Sequence, residues 1–201
     1  MARTQATDYG ERREAIVEKA AKLYAERGFL GASIADLARA CKTSKSLIYH
    51  YYPSKEDILF DVMHSHVAAL LTTAQTVLGM QLSPTEALRA ITMEFMKLYA
   101  GAAARQKVLL NELGHLPKER RAIIVGIQNR LIDMVDKLIL EIRPELKARP
   151  ALKRPAAMLY FGMINWTHTW MNPSGAAAPA KIAALSVNIF LDGLLKSEIP
   201  R

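Results

Sequence analysis

Residues 44–51 read SKSLIYHY, a run that combines a lysine with hydroxyl side chains and amphipathic rings. Leu47 and Ile48 would anchor one side of a short helix here. The other side would then present Lys45, Ser46, Tyr49, His50 and Tyr51. A cation suits contacts with phosphate, and hydroxyl and ring groups suit contacts with base edges. The run therefore predicts a helix that contacts the major groove of DNA.

The residues before this run would hold it in place as a helix-turn-helix. Ser33 is of the residue type that caps a helix, and Asp36 stands at the third helical position after it. Leu37 follows at helical spacing and would face inward. A polar break at residues 41–44 then separates two short helices, and its length is the one a helix-turn-helix needs. Ser33 and Ser44, at the two helix starts, join the candidate DNA contacts.

A third helix start follows at residues 54–57. Ser54 and Asp57 form another capping pair, and Lys55 lies in the first turn, where its ammonium and free backbone N–H groups could hold a DNA phosphate. The apolar spacing continues to about Leu78, so this helix would be about 37 Å long at 1.5 Å per residue. Such a helix is long enough to connect a DNA-binding part to a second domain.

Residues 11–63 resemble the TetR family of bacterial transcriptional repressors. The match is carried by Gly28 and Phe29, by residues 33–38 and 44–52 in the two short helices, and by residues 53–59 at the start of the long helix. The chain departs from the family at residues 41–43, which read CKT where a small residue, glycine and valine are usual, and at His50, where tyrosine is common. The resemblance implies that Lys55 contacts a phosphate.

Composition limits the other classes of function. The net charge is +8, of which residues 1–60 contribute +2 and residues 61–201 contribute +6, so DNA binding would depend on the placement of a few cations. No run of 18 apolar residues and no signal peptide is visible, which predicts a soluble, cytoplasmic protein. The single cysteine, Cys41, fits a reducing compartment. No nucleophile elbow, glycine-rich phosphate loop or metal-ligand spacing is present, so we predict neither an enzyme nor a cofactor or metal site.

The hydrophobic pattern predicts an all-α fold of about nine helices. We expect a flexible tail over residues 1–10, a helix-turn-helix DNA-binding domain over residues 11–53, and a ligand-binding and dimerisation domain over residues 54–201. The family resemblance implies a basic arm in this tail that touches the minor groove, and Arg3 is the one cation of the tail that could serve. Pro144, Pro150 and Pro155 indicate an irregular connector between two long helices, and the apolar residues 155–171 that follow are expected to be buried on more than one side.

Residues 155–196 carry more apolar side chains than a single core requires, which indicates a homodimer. The family resemblance implies that the last two helices of each chain form a four-helix interface. A dimer would present two reading helices to half-sites about 34–36 Å apart on the duplex. The candidate interface residues are Trp170, Ile182, Leu185, Ile189 and Phe190. Ordinary packing within one chain is the alternative.

Residues 165–175, NWTHTWMNPSG, resemble a subset of TetR-like regulators whose effectors are acyl-CoA thioesters. Residues 105–154 carry a net charge of +6, and a basic rim around an apolar tunnel would suit the phosphates of coenzyme A. The candidate ligand contacts are Phe95, Tyr99, Arg105, Asn111, His115, Arg120, Arg121, Met134, Met163 and Trp166. A solvated charged face and ordinary core side chains are the alternatives.

The sequence thus predicts a homodimeric repressor that binds operator DNA and is released by a small-molecule effector, taken to be an acyl-CoA thioester. The long helix over residues 54–78 would transmit the release. A repressor of an efflux system that senses lipophilic drugs is one alternative, although its pocket should carry acidic residues. An all-α ligand-binding protein without DNA binding is the other.

Overall fold

All regular structure in the described part of the chain is helical, as the sequence predicts. The computed structural model describes residues 2–172, 175, 177–196 and 198, and for residues 2–8 the backbone alone. Within these residues nine α-helices occur: α1 Ala2–Gly31, α2 Ile34–Ala40, α3 Lys45–Tyr51, α4 Lys55–Leu78, α5 Pro84–Gly101, α6 Ala103–Asn111, α7 Lys118–Ile142, α8 Pro150–Asn165 and α9 Pro179–Lys196. Short 3₁₀ helices follow α6, α7 and α8, at Leu113–His115, Pro144–Ala148 and Trp166–Thr169.

The chain packs as two compact units. One consists of residues 1–67 and 104–125, and the other of residues 68–103 and 126–201. The first unit therefore contains the predicted helix-turn-helix domain together with the first part of α4, α6 and the start of α7. The second unit contains α5, α8, α9 and the remainder of α4 and α7.

In the first unit α2 packs against both α1 and α3. Tyr24, Leu37 and Ile48 lie in this core, each with at most 2 % of its surface exposed. Gly28 interrupts α1 with φ 73° and ψ 161°, a region that essentially only glycine adopts. The break at Gly28 turns Phe29 into the core.

In the second unit α9 packs against α5 and α8. Thr92 on α5 and Tyr160 on α8 are both buried, and their hydroxyl oxygens lie 2.9 Å apart, which satisfies two polar groups that are costly to bury alone. Arg154 joins α8 to α7, because its guanidinium donates to the carboxylates of Asp133 at 2.6 Å and Asp136 at 3.0 Å.

Two predicted segments differ from the structure. Residues 2–10 are helical where a flexible tail is expected. The side chain of Arg3, and residues 173 and 174 of the segment that resembles acyl-CoA-responsive regulators, lie outside the described part. Pro155 lies inside α8 and not in a connector. Pro150 opens this helix in the first turn, where a proline removes no helical hydrogen bond. Pro155 has no N–H to donate to the carbonyl of Ala151, which belongs to an exposed residue.

Candidate nucleic-acid interface

Ser33 lies at the start of α2 as its N-cap. Its hydroxyl accepts a hydrogen bond from the Asp36 N–H at 3.1 Å, and the Asp36 carboxylate accepts one from the Ser33 N–H at 3.0 Å. The Ser33 hydroxyl also donates to the Asp36 carboxylate at 2.5 Å. This bond and the one from the Ser33 N–H, with smaller contributions from Arg39 and Arg27, lower the pKa of Asp36. The predicted DNA contact Ser33 is therefore first of all the residue that fixes the start of α2.

The turn between α2 and α3 is fixed in a similar way. The Thr43 N–H donates to the carbonyl of Ala38 at 2.9 Å, and Lys42 adopts a left-handed conformation with φ 53°. The hydroxyl of Ser44 then accepts a hydrogen bond from the Leu47 N–H at 3.1 Å. Ser44 is thus the N-cap that starts α3, and it sets the direction in which this helix leaves the turn.

The two sides of α3 are distinct. Ile48 is fully buried on one side. Lys45, Ser46, Tyr49 and His50 are exposed on the other, with 52 % of the Tyr49 surface accessible. Four of the predicted reading residues therefore lie together on an open helix face, where a cation, a hydroxyl and two rings could reach a major groove.

Tyr51 differs from these four residues because it is half-buried. Its ring lies 4.7 Å from the ring of Tyr9 on α1 and meets the ring of His50 edge-on at 5.2 Å. Tyr51 thus packs the end of α3 against α1, and its contact with DNA stays a prediction.

Tyr52 is a supporting residue that the sequence analysis did not single out. It is 2 % exposed, its hydroxyl donates to the Asp61 carboxylate at 2.8 Å, and Arg13 Nε donates to the same hydroxyl at 3.3 Å. Arg13 also forms an ion pair with Asp61. Burial raises the pKa of Tyr52. The cluster joins the end of α3 to α1 and α4. In the sequence, the only sign of this cluster was the carboxylate of Asp61, nine residues after Tyr52.

Lys55 makes a contact that the sequence did not predict. Its ammonium donates to the carbonyl of Phe29 and lies 4.1 Å from the centre of the Phe29 ring. Burial lowers the pKa of this lysine. Lys55 therefore joins the start of α4 to the end of α1, and its contact with a DNA phosphate stays a prediction.

Five of the ten candidate ligand contacts belong to the first unit: Arg105, Asn111, His115, Arg120 and Arg121. Arg105 donates to the Ser65 hydroxyl at 3.2 Å and forms an ion pair with Glu14. Arg120 forms an ion pair with Asp57. Because carboxylates already neutralise both arginines, the expectation that they form a basic rim for a ligand is not supported. The other three, Asn111, His115 and Arg121, are exposed.

The other five belong to the second unit: Phe95, Tyr99, Met134, Met163 and Trp166. Phe95 is fully buried, and the Tyr99 hydroxyl donates to the Asn165 side-chain oxygen at 2.8 Å. Trp166 is 65 % exposed, so its expected place in a tunnel wall is wrong for the single chain. A cleft of about 380 Å³ lies beside the half-buried Met134, between α7 and the start of α5.

The candidate dimer residues divide into two groups. Trp170, Leu185 and Ile189 are exposed by 57 %, 60 % and 54 %. Ile182 is buried, and the ring of Phe190 lies 5.4 Å from that of Tyr160, so these two pack within their own chain. Other exposed apolar side chains on α8 and α9 that the sequence analysis missed are Met158, Leu159 and Leu195. The expectation that residues 155–171 are buried on several sides is therefore wrong for the single chain.

Among the described residues, no three histidine, cysteine or acidic side chains are placed to hold a metal ion. In the same part of the chain no helix has the length and apolar character needed to cross a membrane.

Two family models match the chain. Residues 16–62 match the model described as bacterial regulatory proteins, tetR family, and residues 81–194 match the tetracyclin repressor-like C-terminal domain. The second match covers more than half of the chain.

Similar proteins match over most of their length. A TetR-family transcriptional regulator from Bordetella parapertussis is 38 % identical, with a TM-score of 0.87 over 94 % of this chain and 98 % of that one. AibR, crystallised with isovaleryl coenzyme A and operator DNA, is 27 % identical, with a TM-score of 0.78 over 89 % and 97 %. The transcriptional regulator HbdR of Aromatoleum sp. (strain CIB) is 26 % identical over 80 % of this chain and 69 % of that protein. The chain therefore belongs to the TetR family of bacterial regulatory proteins, as an all-helical, DNA-binding transcriptional repressor with a ligand-binding domain.

Proposed function

We propose that the chain is a homodimeric repressor in which α3 reads the operator and the helical second half binds the effector that releases it. The observation that carries this proposal is the open face of α3, formed by Lys45, Ser46, Tyr49 and His50 opposite the buried Ile48. We assign DNA binding to residues 11–53, and ligand binding and dimerisation to residues 54–201.

The exposed apolar side chains of α8 and α9 support a twofold contact between copies. Leu185 and Ile189 stand one turn apart on α9, and both are more than half exposed. Exposed apolar groups that cluster in this way mark interaction surfaces. A single α3 contacts one half-site and binds DNA weakly. A dimer presents two copies of α3, so that two half-sites are bound together.

We propose an acyl-CoA thioester as the effector. AibR supports this because it was crystallised with such a ligand. The net charge of +6 over residues 105–154 also fits a polyphosphate ligand. With Arg105 and Arg120 neutralised, the exposed basic residues of this range are Lys107, Lys118, Arg121, Arg130, Lys137, Lys147, Arg149 and Lys153. Such an effector releases DNA only by its higher affinity for the released state, and about 5.5 kcal/mol moves the equilibrium from 1:99 to 99:1.

Fluorescence anisotropy tests the operator assignment. A labelled duplex from upstream of the gene is compared with a scrambled duplex of the same composition. We expect tighter binding to the upstream DNA by about 10³ or more, and for Lys45→Gln a salt slope that is lower by about 0.9. Equal affinity for both duplexes would overturn the operator assignment.

A thermal-shift panel tests the effector. A ligand that binds the folded state raises the melting temperature by mass action. We expect acyl-CoAs to raise it and to dissociate the labelled operator, with free coenzyme A as the control for the acyl group. A response to lipophilic cationic dyes alone would favour a drug-sensing efflux repressor instead.

A further inference from the structure

A cleft of about 390 Å³ lies between α1 and the helix-turn-helix. Ten residues line it, three of them basic and none acidic. Ile16 and Leu47 contribute apolar lining, and Lys19 on α1 and Lys42 in the turn contribute positive charge. This cleft is separate from the open face of α3, because the α3 residues that line it are Leu47 and Tyr51 and not Lys45, Ser46, Tyr49 and His50.

Tyr51 at the end of α3 lines the cleft, and its ring lies 4.7 Å from the ring of Tyr9 on α1. Lys19 of α1 lines the cleft together with Cys41 and Lys42 of the turn. The α1 side chains that line it begin at Arg12 and end at Lys19, a rise of about 10 Å along the helix. Since phosphates of one strand rise about 3.4 Å per nucleotide along the duplex, the cleft is long enough for more than one phosphate.

The two lysines are placed to bind an anion. Lys42 is exposed and has a left-handed backbone conformation in the turn. It lies three positions before Lys45, so the cleft is continuous with helix α3. Among the described residues, no carboxylate lies within ion-pair distance of Lys19 or Lys42. Lys22, one turn further along α1, is instead paired with Glu18 at 3.2 Å.

We propose that this α1/α3 cleft holds the sugar-phosphate backbone at the edge of the major groove, with Lys19 and Lys42 neutralising phosphates while α3 enters the groove. The inference rests on the proposed DNA-reading function and extends it to residues outside the reading face. The apolar side chains receive deoxyribose, and the two lysines receive phosphate oxygens. Because phosphates carry no sequence information, this contact adds affinity for any duplex and not preference for the operator.

The test is the salt dependence of DNA binding by Lys19→Gln, Lys42→Gln and the double variant. Each lost phosphate contact lowers the slope of log K against log salt by about 0.9, so the double variant should lose about 1.8. The loss should be equal on the operator and on a scrambled duplex, which leaves their affinity ratio unchanged. Lys22→Gln removes one exposed charge from the same helix and should leave the slope unchanged.

The charge-preserving double variant Lys19→Arg with Lys42→Arg should restore the slope, and melting curves confirm that each variant is folded. An unchanged slope in a folded Gln double variant overturns the cleft assignment while the operator assignment stands. If the Gln substitutions abolished binding of a fluorescent fatty acid and left DNA binding intact, the cleft would be a site for a small amphipathic anion. That result would also overturn the assignment of the cleft to the DNA backbone. A wild-type protein that binds neither duplex overturns both assignments, and one that binds both equally overturns the operator assignment alone.

Discussion

At the scale of single residues, Tyr49 and Tyr52 lie three positions apart and have different roles: Tyr49 is proposed to contact DNA, and Tyr52 supports the end of α3. Tyr49 is 52 % exposed, whereas Tyr52 is 2 % exposed and bonded to Asp61. We expect Tyr49→Ala to weaken operator binding about tenfold, or about 1.4 kcal/mol. The free energy of unfolding should change by no more than about 0.5 kcal/mol. Anisotropy titration and urea unfolding measure the two effects separately.

Tyr52→Phe is the matched control. It removes a hydroxyl that Arg13 and Asp61 share, and we expect it to lower the free energy of unfolding by about 1–3 kcal/mol. If Tyr49→Ala also unfolded the protein at ordinary temperature, its ring would belong to the core and α3 would lose its main reading residue.

Gly28 is the residue whose backbone conformation is most demanding. Its φ of 73° and ψ of 161° strain any L side chain, although a methyl group there would meet nothing closer than the Glu112 carboxylate at 3.6 Å. We expect Gly28→Ala to lower the free energy of unfolding by about 1–3 kcal/mol through backbone strain. Gly126→Ala, inside α7 with open space around it, should instead raise it by about 0.5–1 kcal/mol. Equal effects in urea unfolding would argue against strain at Gly28.

At the scale of elements, a buried polar pair joins α4 to α6. His66 Nε2 lies 2.7 Å from the Gln106 side-chain oxygen, and His66 is 3 % exposed. Burial lowers the pKa of His66 below 6.5; the hydrogen bond to Gln106 opposes this effect, and the charge of Arg105 adds to it. The unfolded chain therefore binds a proton first as pH falls. Stability should be fully present above about pH 6.5 and should decrease below it, by at most about 1.4 kcal/mol per pH unit.

Urea unfolding of the wild type and His66→Gln between pH 5 and 7.5 measures this decrease. The variant should lose the part of the pH dependence that His66 supplies, while the carboxylates whose pKa is lowered, Asp36 and Glu86, act at lower pH in both proteins. Parallel curves would show that another group is responsible.

Local contacts are the ones that the sequence predicts well. The capping box between Ser33 and Asp36 is present as predicted, because it links residues three apart. The roles of Lys55 and Arg105 were not predictable in this way. Their partners, Phe29 and Glu14, lie 26 and 91 positions away along the chain. Only the folded structure therefore shows that these two cations already form hydrogen bonds within the protein.

At the scale of the whole molecule, DNA reading is proposed to depend on two copies of α3, and α9 offers the surface that joins them. Leu185 and Ile189 are 60 % and 54 % exposed, and burying two such side chains contributes about 1.5–3 kcal/mol each. We expect Leu185→Glu with Ile189→Glu to give a folded monomer, because neither side chain belongs to the chain's own core. Light scattering after size exclusion measures the mass, and circular dichroism measures the helix content.

The same variant should lose most of its operator affinity although α3 is untouched, since a monomer reads one half-site and gives up the second. Ile123→Glu provides the matched control, because Ile123 on α7 is 50 % exposed and lies in the first unit. This control should remain dimeric and should bind the operator as the wild type does. Two results would contradict this assignment: a wild type that is monomeric at micromolar concentration, or a double variant that stays dimeric and binds DNA. Either result would show that α9 is not the interface, and the exposed apolar side chains of α8 and α9 would then lack the role proposed for them.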